Sequence, residues 1–220
     1  NDNGGNAEAS DFQGKIDGVD VAWSSAQTTT VGDHTASEVG LAGYTASGWS
    51  NDCVADGSVT LALGENKTCT ITNDDIAPRI TLIKNVITDN GGSAQPDDFA
   101  LTIGGNPALS GVTQSANSNT PIALDETVVN GYSFVNITGD AKCPAILGGT
   151  VTLDEGEHVS CTITNDDEAP SLTLVKEVIN DNGGTAAAGD WTLTATGYDA
   201  GSPDAGIYDL SESNGPAGYT

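Results

Sequence analysis

The 220-residue chain is poor in positive charge, aromatic side chains and long apolar runs, and it contains no methionine. Its 6 basic residues stand against 31 acidic ones, which gives a formal net charge of −25. Because phosphate binding requires clustered lysine and arginine, this balance argues against nucleic acids and anionic membranes as partners. No stretch approaches the roughly 18 apolar residues of a membrane-spanning helix, so we expect no membrane contact within this segment.

The chain does contain one series of motifs that occurs three times. The run CTITNDD begins at Cys69 and at Cys161, and each copy precedes an Ala-Pro and a strand-like run, ITLIKNVI from Ile80 or LTLVKEVI from Leu172. A DNGG motif, an acid–aromatic pair and a Gly-Tyr then follow in the same order. They occur at Asp2, Asp89 and Asp181, at Asp11, Asp98 and Asp190, and at Tyr44, Tyr132 and Tyr219, respectively. A period of roughly 90 residues is typical of a small autonomous domain rather than a solenoid coil.

The repeat boundaries divide the chain into three parts. Residues 1–78 form a first repeat that lacks its first strand, residues 79–170 form a complete repeat, and residues 171–220 form the N-terminal part of a third. Two explanations of the incomplete repeats stay open: the chain is a window cut from a longer array, or a neighbouring subunit supplies a missing strand. The short proline-terminated boundary segments favour stiff junctions over flexible linkers.

Short alternating runs bounded by Gly, Asn, Asp and Pro dominate the middle repeat, and helical periodicity is nearly absent. The predicted strands are Ile80–Ile87, Phe99–Ile103, Pro121–Leu124, Tyr132–Ile137, Thr150–Leu153 and His158–Thr164, with Gly111–Thr113 as a further candidate. Six or seven strands at this spacing are typical of an antiparallel sandwich. We therefore expect an all-β chain of tandem Ig-like antiparallel β-sandwich domains.

The four cysteines fall two to a repeat, Cys53 with Cys69 and Cys143 with Cys161. A repeated pair within one domain predicts one disulfide per domain and therefore an oxidising, extracellular setting. A disulfide that closes a loop of about 15 residues contributes about 3 kcal/mol to stability in the chain-entropy model. The alternative is a pair of free thiols in a core. A zinc site is a poorer explanation, because two cysteines without a nearby histidine make an incomplete ligand set.

Three polar residues of each repeat fall in phase with its apolar positions. In the middle repeat they are Lys84, Glu126 and Asn165, and side chains two apart in a strand share a face. Because an unpaired buried charge costs several kcal/mol, we expect these groups to meet. Two outcomes stay open: a buried ion pair with the asparagine as hydrogen-bond partner, or an isopeptide bond formed when a neutral lysine attacks the carboxamide.

The third repeat contains the run IYDLSESNGPAGYT from Ile207, which resembles the "E-box" YxLxExxxPxGY of SpaA-like and Cna-type B pilin domains. The resemblance implies a prealbumin-like sandwich fold and a bond between a lysine of the first strand and an asparagine of the last, assisted by the E-box glutamate. The implied residues are Lys84, Asn165 and Glu126 in the middle repeat, with partial sets Asn73 and Glu38 in the first repeat and Lys176 and Glu212 in the third. The first two E-boxes lack the leading Tyr and the Pro, so both a retained isopeptide and its replacement by the disulfide stay open.

The acidic motifs allow two interpretations. DNGG is typical of a tight hairpin turn, because Asn-Gly adopts the positive φ angles that such turns need. Alternatively, these oxygens bind calcium, which takes six to eight oxygen ligands. The calcium candidates are Asp74, Asp75, Asp89, Asp98, Asp166, Asp167, Asp181 and Asp190. Asn66 and Asn136 begin N-x-[ST] glycosylation sequons.

Catalytic patterns are missing. The two histidines, His34 and His158, occupy unmatched positions in their repeats, and no nucleophile motif or phosphate-binding loop is present. The acidic residues recur at turns and repeat boundaries rather than in one cleft, which argues against a glycosidase. The sequence therefore predicts a protein that is not an enzyme and needs no cofactor apart from the calcium considered above.

Together these features favour a structural role outside the cell. We expect an extracellular fibre, a pilus-like filament or a surface stalk, with copies of the same chain as its partners. The alternative is an adhesin or other ligand-binding surface protein, which calcium would stabilise. In either case the expected location is extracellular or on the cell surface.

Overall fold

The computed structural model describes residues 1–199, 203–213 and 215–220; positions 200–202 and 214 of the third repeat lie outside these ranges. The described part of the chain consists of short β-strands and three single-turn 3-10 helices, Ala9–Asp11, Pro96–Asp98 and Ala188–Asp190. None of these helices is long and apolar enough to cross a membrane. The predicted all-β class of antiparallel sheets is confirmed.

The strands follow the repeats along the chain. The first repeat contains β1 (Gln13–Ile16), β2 (Val19–Val21), β3 (Gly32–Val39), β4 (Tyr44–Ala46), β5 (Ser50–Asn51), β6 (Ser58–Leu61), β7 (Cys69–Thr70) and β8 (Asn73–Asp75). The middle repeat contains β9 (Arg79–Ile87), β10 (Leu101–Ile103), β11 (Asn106–Ala108), β12 (Thr113–Ser115), β13 (Ile122–Glu126), β14 (Tyr132–Gly139), β15 (Thr150–Val151) and β16 (His158–Asp167). The third contains β17 (Leu193–Thr196) and β18 (Asp209–Glu212).

The chain divides into two compact units. The first comprises Asn1–Lys84, Ala100–Glu126 and Ile137–Thr162, and the second comprises Asn85–Phe99, Thr127–Asn136 and Ile163–Thr220. Within the first unit, one sheet has the strand order β2-β1-β3-β6 and another has the order β11-β10-β13-β15. The second unit contains the antiparallel pair β17-β18. A further sheet, with the order β12-β9-β16-β14, contains the three longest strands of the middle repeat, β9, β14 and β16.

The core of the middle repeat follows the alternation of its strands. Ile80 and Leu82 of β9, Leu101 of β10, Leu124 of β13 and Val159 of β16 are all at most 2% exposed. Side chains two apart point to one face of a strand, so each strand contributes a row of apolar residues to the interior. Burying one such side chain contributes about 1.5–3 kcal/mol. This core fixes the positions of the polar residues that continue the same rows.

Two segments differ from the predicted strands for physical reasons. The sequence pattern does not predict β11, because its proline disfavours a central strand; in the structure β11 lies at the edge of its sheet, where proline is tolerated. The run from residue 172 to 179 forms no ladder in the described chain, although its exposure alternates with period two as in a strand. In the middle repeat the corresponding run, β9, pairs with β16, the strand that contains CTITN. The 220 residues contain no third copy of CTITN with which residues 172–179 could pair in the same way.

Candidate functional site

Lys84 and Glu126 form an ion pair inside the middle repeat. The Nζ atom of Lys84 lies 2.9 Å from Oε2 of Glu126, and the two side chains are 0% and 1% exposed. Lys84 continues the row of Ile80 and Leu82 along β9, while Glu126 ends the buried row of β13. The predicted inward orientation of both residues is therefore found in the structure.

Burial changes the protonation of Lys84. Removal of the amine from water lowers the pKa of Lys84 below its ordinary value, and the hydrogen bond and charge of Glu126 only partly oppose this shift. Desolvation disfavours the charged form of an amine, whereas a neighbouring carboxylate favours it. A larger fraction of Lys84 is therefore neutral, and hence nucleophilic, than for a lysine in water.

Asn165, the third predicted residue, is 3% exposed on β16. It continues the row of Cys161 and Ile163, both of which are fully buried. Strand β16 is hydrogen-bonded to β9 in the sheet of order β12-β9-β16-β14. All three residues that the sequence singled out in the middle repeat are thus buried, and two of them lie on neighbouring strands.

The incomplete repeats bring together the two members of the set that each contains. In the first repeat, Nδ2 of Asn73 donates a hydrogen bond to Oε2 of Glu38 at 3.0 Å. The other carboxylate oxygen of Glu38 is buried without a hydrogen-bond partner. In the third repeat, Nζ of Lys176 lies 2.8 Å from Oε2 of Glu212, in a more exposed position. In both incomplete repeats, the glutamate therefore contacts the other member of the predicted set.

Both predicted disulfides are present in the structure. Cys53 is joined to Cys69, with a Cα–Cα distance of 5.1 Å, and Cys143 is joined to Cys161 at 5.7 Å. All four cysteines of the sequence are therefore paired. Each bond ties the CTITN segment of its repeat to a loop one strand earlier in the sequence, between β5 and β6 or between β14 and β15.

The second aspartate of each NDD motif organises the DNGG turn of the same repeat. The amides of Asn3 and Gly5 donate to Oδ2 of Asp75 at 3.0 and 2.7 Å. In the middle repeat, the amides of Asn90 and Gly92 donate to Oδ2 of Asp167 at 3.0 and 2.6 Å. Burial alone would raise the pKa of each aspartate. The turn amides outweigh this effect together with the N-terminal ammonium of Asn1 at Asp75 and the Asn90 side chain and Asp89 amide at Asp167, so the pKa of both carboxyl groups is lowered.

The DNGG motif is not the hairpin turn that Asn-Gly suggested. The strands that flank Asp89–Gly92, β9 and β10, belong to different sheets. The positive φ angle falls on the first glycine, +86° at Gly91, and not on the asparagine. The motif is instead a loop turn that wraps around a buried carboxylate.

The calcium candidates divide into two groups. Carboxylate oxygens lie within 4.8 Å of one another in the sets Asp2, Asp74, Asp75 and Asp89, Asp166, Asp167. Asp98 and Asp190 are not members of these sets; their carboxylates accept the amides of Gln95 and Ala187 at the start of 3-10 helices. Asp181, in the third DNGG turn, belongs to neither set.

The Gly-Tyr and acid–aromatic motifs, to which the sequence assigned no role, hold the same turn. The hydroxyl groups of Tyr44, Tyr132 and Tyr219 accept backbone amides just after DNGG, at 2.8–2.9 Å. Each of these rings also packs edge-on against the aromatic residue of its acid–aromatic pair, at centroid distances of 5.3–5.6 Å. The recurrence of both motifs in every copy was the signal available in the sequence.

The histidines and sequons occupy local positions. Nδ1 of His34 lies 2.6 Å from a carboxylate oxygen of Asp17, and this hydrogen bond raises the pKa of His34. Nε2 of His158 lies 3.0 Å from the hydroxyl of Thr81. Asn66 and Asn136 are both exposed.

Comparison with known proteins agrees with this geometry. The family of prealbumin-like fold domains named SpaA_2 matches residues 1–71, 75–163 and 167–220, in pieces that suggest repeated domains. Searches of curated proteins and of solved structures give no significant match. Domains of this kind are usually non-catalytic and typical of bacterial surface proteins, and the two disulfides likewise suggest a secreted or surface protein. The chain belongs to the SpaA_2 family of prealbumin-like fold domains.

Proposed function

We propose that this chain is a non-enzymatic structural part of an extracellular fibre, pilus-like filament or surface stalk. In this function the middle repeat is closed by its disulfide and by an isopeptide bond between Lys84 and Asn165. The observation that carries the proposal is the fully buried ion pair of Lys84 and Glu126, together with a buried Asn165 on β16, the strand hydrogen-bonded to β9. A merely structural core would more simply contain apolar residues at these positions.

The bond requires only groups that the chain supplies. The neutral Nζ atom of Lys84 attacks Cγ of Asn165, and a Cγ–Nζ bond forms as the Cγ–Nδ2 bond breaks. Glu126 accepts a proton from Nζ and delivers it to the leaving nitrogen, which departs as ammonia. No oxidant or cofactor is consumed. The lowered pKa of Lys84 favours this reaction because only the unprotonated amine is a nucleophile.

The position of the bond suits a chain under tension. In a tandem array, force enters a domain through its first strand and leaves through its last. Lys84 belongs to the first strand of the middle repeat and Asn165 to the last. A covalent bond between them would transmit force directly, so that the hydrogen-bonded ladder would carry little of it.

Single-molecule stretching of the full chain tests this function. If the bond is present, the residues between Lys84 and Asn165 cannot be stretched out, so unfolding of the middle repeat adds none of their length to the extension of the chain. An Asn165→Ala variant should show that additional extension. Asn136→Ala, at an exposed asparagine on the neighbouring strand β14, is the matched control and should behave as the unchanged chain. Equal extension of the unchanged chain and Asn165→Ala would contradict the proposal.

Calcium at the acidic turns is a second proposal, supported by one observation. Three carboxylates converge near each of the first two DNGG turns, and at the second of them Oδ1 of Asp166 is buried without a hydrogen-bond partner. A divalent cation would relieve the repulsion among these groups. The melting temperature should then fall when a chelator is added, and Asp166→Asn should abolish part of that response. An equal melting temperature with and without the chelator would rule out calcium binding at these turns.

A further inference from the structure

The outer side of the first DNGG turn contacts the second repeat. The carbonyl oxygen of Asn3 accepts the backbone amide of Ser118 at 2.8 Å and its hydroxyl at 3.1 Å. Nδ2 of Asn119 donates to the carbonyl of Gly4 at 3.2 Å. Ser118 is only 1% exposed, although it lies in a loop. The turn of one repeat therefore buries a loop residue of the next.

The same contact recurs one repeat later. The carbonyl oxygen of Asn90, in the second DNGG turn, accepts the backbone amide of Ala205 at 2.7 Å. Ser118 and Ala205 occupy corresponding places, because each lies in the loop that leads into the E-box strand of its repeat, β13 or β18. A contact that is reproduced with a different residue type at each site depends on the backbone rather than on a particular side chain.

The first glycine of each turn is required at this contact. A Cβ atom on Gly4 would lie 2.5 Å from the carbonyl oxygen of Ser118, and one on Gly91 would lie 2.9 Å from the amide of Ala205. Both glycines also have positive φ angles, +90° and +86°, which other residues rarely adopt. Gly18 has a similar φ angle of +79°, yet a Cβ there would meet nothing within 4 Å. The close approach of the neighbouring backbone to Gly4 and Gly91 is thus a feature of the contact between repeats, not of every glycine with a positive φ angle.

A second pair of segments meets at the first junction. The amide of Gly156 donates to the carbonyl of Ile76 at 2.7 Å. A Cβ atom on Gly43 would lie 2.5 Å from Cβ of Glu155, whose carboxylate accepts a hydrogen bond from Nδ2 of Asn119 at 2.7 Å. The DNGG contact is therefore one part of a wider surface between the first and second repeats.

We propose that DNGG is a docking motif for the next repeat. Its inner side is fixed by the buried aspartate of NDD, and its outer side receives the loop before the E-box strand of the following repeat. The partner of the motif is thus another repeat of the same kind, whose backbone amide, at Ser118 or Ala205, donates a hydrogen bond to the turn. The inference deepens the proposed structural function and rests on its tandem arrangement, but it is independent of the Lys84–Asn165 bond.

Hydrogen exchange of the full chain tests the docking contact. In Gly4→Ala, the Ser118 amide should exchange about tenfold faster, as expected for the loss of one hydrogen bond. Gly18→Ala is the matched control, since it introduces the same strain without a neighbour, and should leave Ser118 unchanged. Protection of the Gly5 amide, which donates to Asp75, reports that the turn itself remains folded. Equal Ser118 exchange in both variants would overturn the proposal.

A measurement on the unchanged chain removes any dependence on folding of the variants. Backbone 15N relaxation should give the first and second repeats one common rotational correlation time, because docked repeats tumble together. Separate correlation times would overturn the docking proposal. The structural function would be unaffected by that result, because the extension of the middle repeat under force does not depend on its neighbours.

Discussion

The buried pair of Lys84 and Glu126 leads to a quantitative prediction. Lys84→Met keeps an unbranched apolar side chain but removes the nitrogen that faces Glu126, which is an amine in the ion pair and an amide N–H once the proposed bond has formed. The Glu126 carboxylate, 1% exposed, therefore loses this partner. Leaving one member of such a buried pair without its partner costs about 3–5 kcal/mol, because an uncompensated charge stays in the interior. We therefore expect Lys84→Met to lower the free energy of unfolding of the middle repeat by about this amount.

The double variant Lys84→Met/Glu126→Leu separates charge from cross-link. Replacing both members of a buried pair by apolar residues is often neutral or stabilising by about 1–4 kcal/mol. Any deficit that remains in the double variant therefore measures the lost covalent bond.

Native-state hydrogen exchange of β9 and β16 in the full chain reports the opening of this repeat alone. Lys142→Met is the control, because Lys142 pairs with Asp154 and Glu157 on the surface and should cost at most about 1 kcal/mol. A Lys84→Met cost no larger than that of the control would refute the reasoning.

Three further predictions follow from the surrounding structure. Reduction of Cys143–Cys161 should lower the free energy of unfolding by about 3 kcal/mol, seen as a lower melting temperature in reductant; an unchanged value would contradict the assigned role of the bond. Tyr132→Phe should cost about 0.5–1.5 kcal/mol in denaturant unfolding, because the Ala94 amide loses its acceptor while the ring remains. Because the folded-state pKa of Asp167 is lowered, its contribution is present above the unfolded pKa of about 3.9 and is lost as the pH falls through the folded pKa. An acid titration followed by circular dichroism should therefore show a shallower loss of stability in Asp167→Asn, and an identical profile would argue against this role.

Much of the fold could be predicted because its signals are local and repeated. The alternation along β9 and β16 was enough to predict that Lys84 and Asn165 face inward, since period-two burial follows directly from strand geometry. The cysteine pairing was equally accessible, because one pair recurs in each of two repeats. The edge strand β11 escaped prediction because its proline is informative only once its place in the sheet is known.

The roles of the turns could not be predicted in the same way. DNGG indicated a hairpin because Asn-Gly is a local signal, whereas its true environment depends on Asp167, which is distant in sequence. The inter-repeat contact at Ser118 uses backbone groups, which leave no side-chain signature. The Tyr132 hydroxyl likewise acts on an amide 38 residues away, so only its recurrence hinted at a function.

The intact mass of the full chain tests the central claim most directly. Of the three sets, only that of the middle repeat contains all three residue types, Lys84, Glu126 and Asn165. The set of the first repeat has no lysine, and that of the third has no asparagine. The folded chain should therefore weigh less than its sequence by four hydrogens, for its two disulfides, and by one ammonia. Asn165→Ala should lose the hydrogens but no ammonia. A chain that lacks the four hydrogens yet retains that ammonia would contradict the claim that Lys84 and Asn165 are covalently joined.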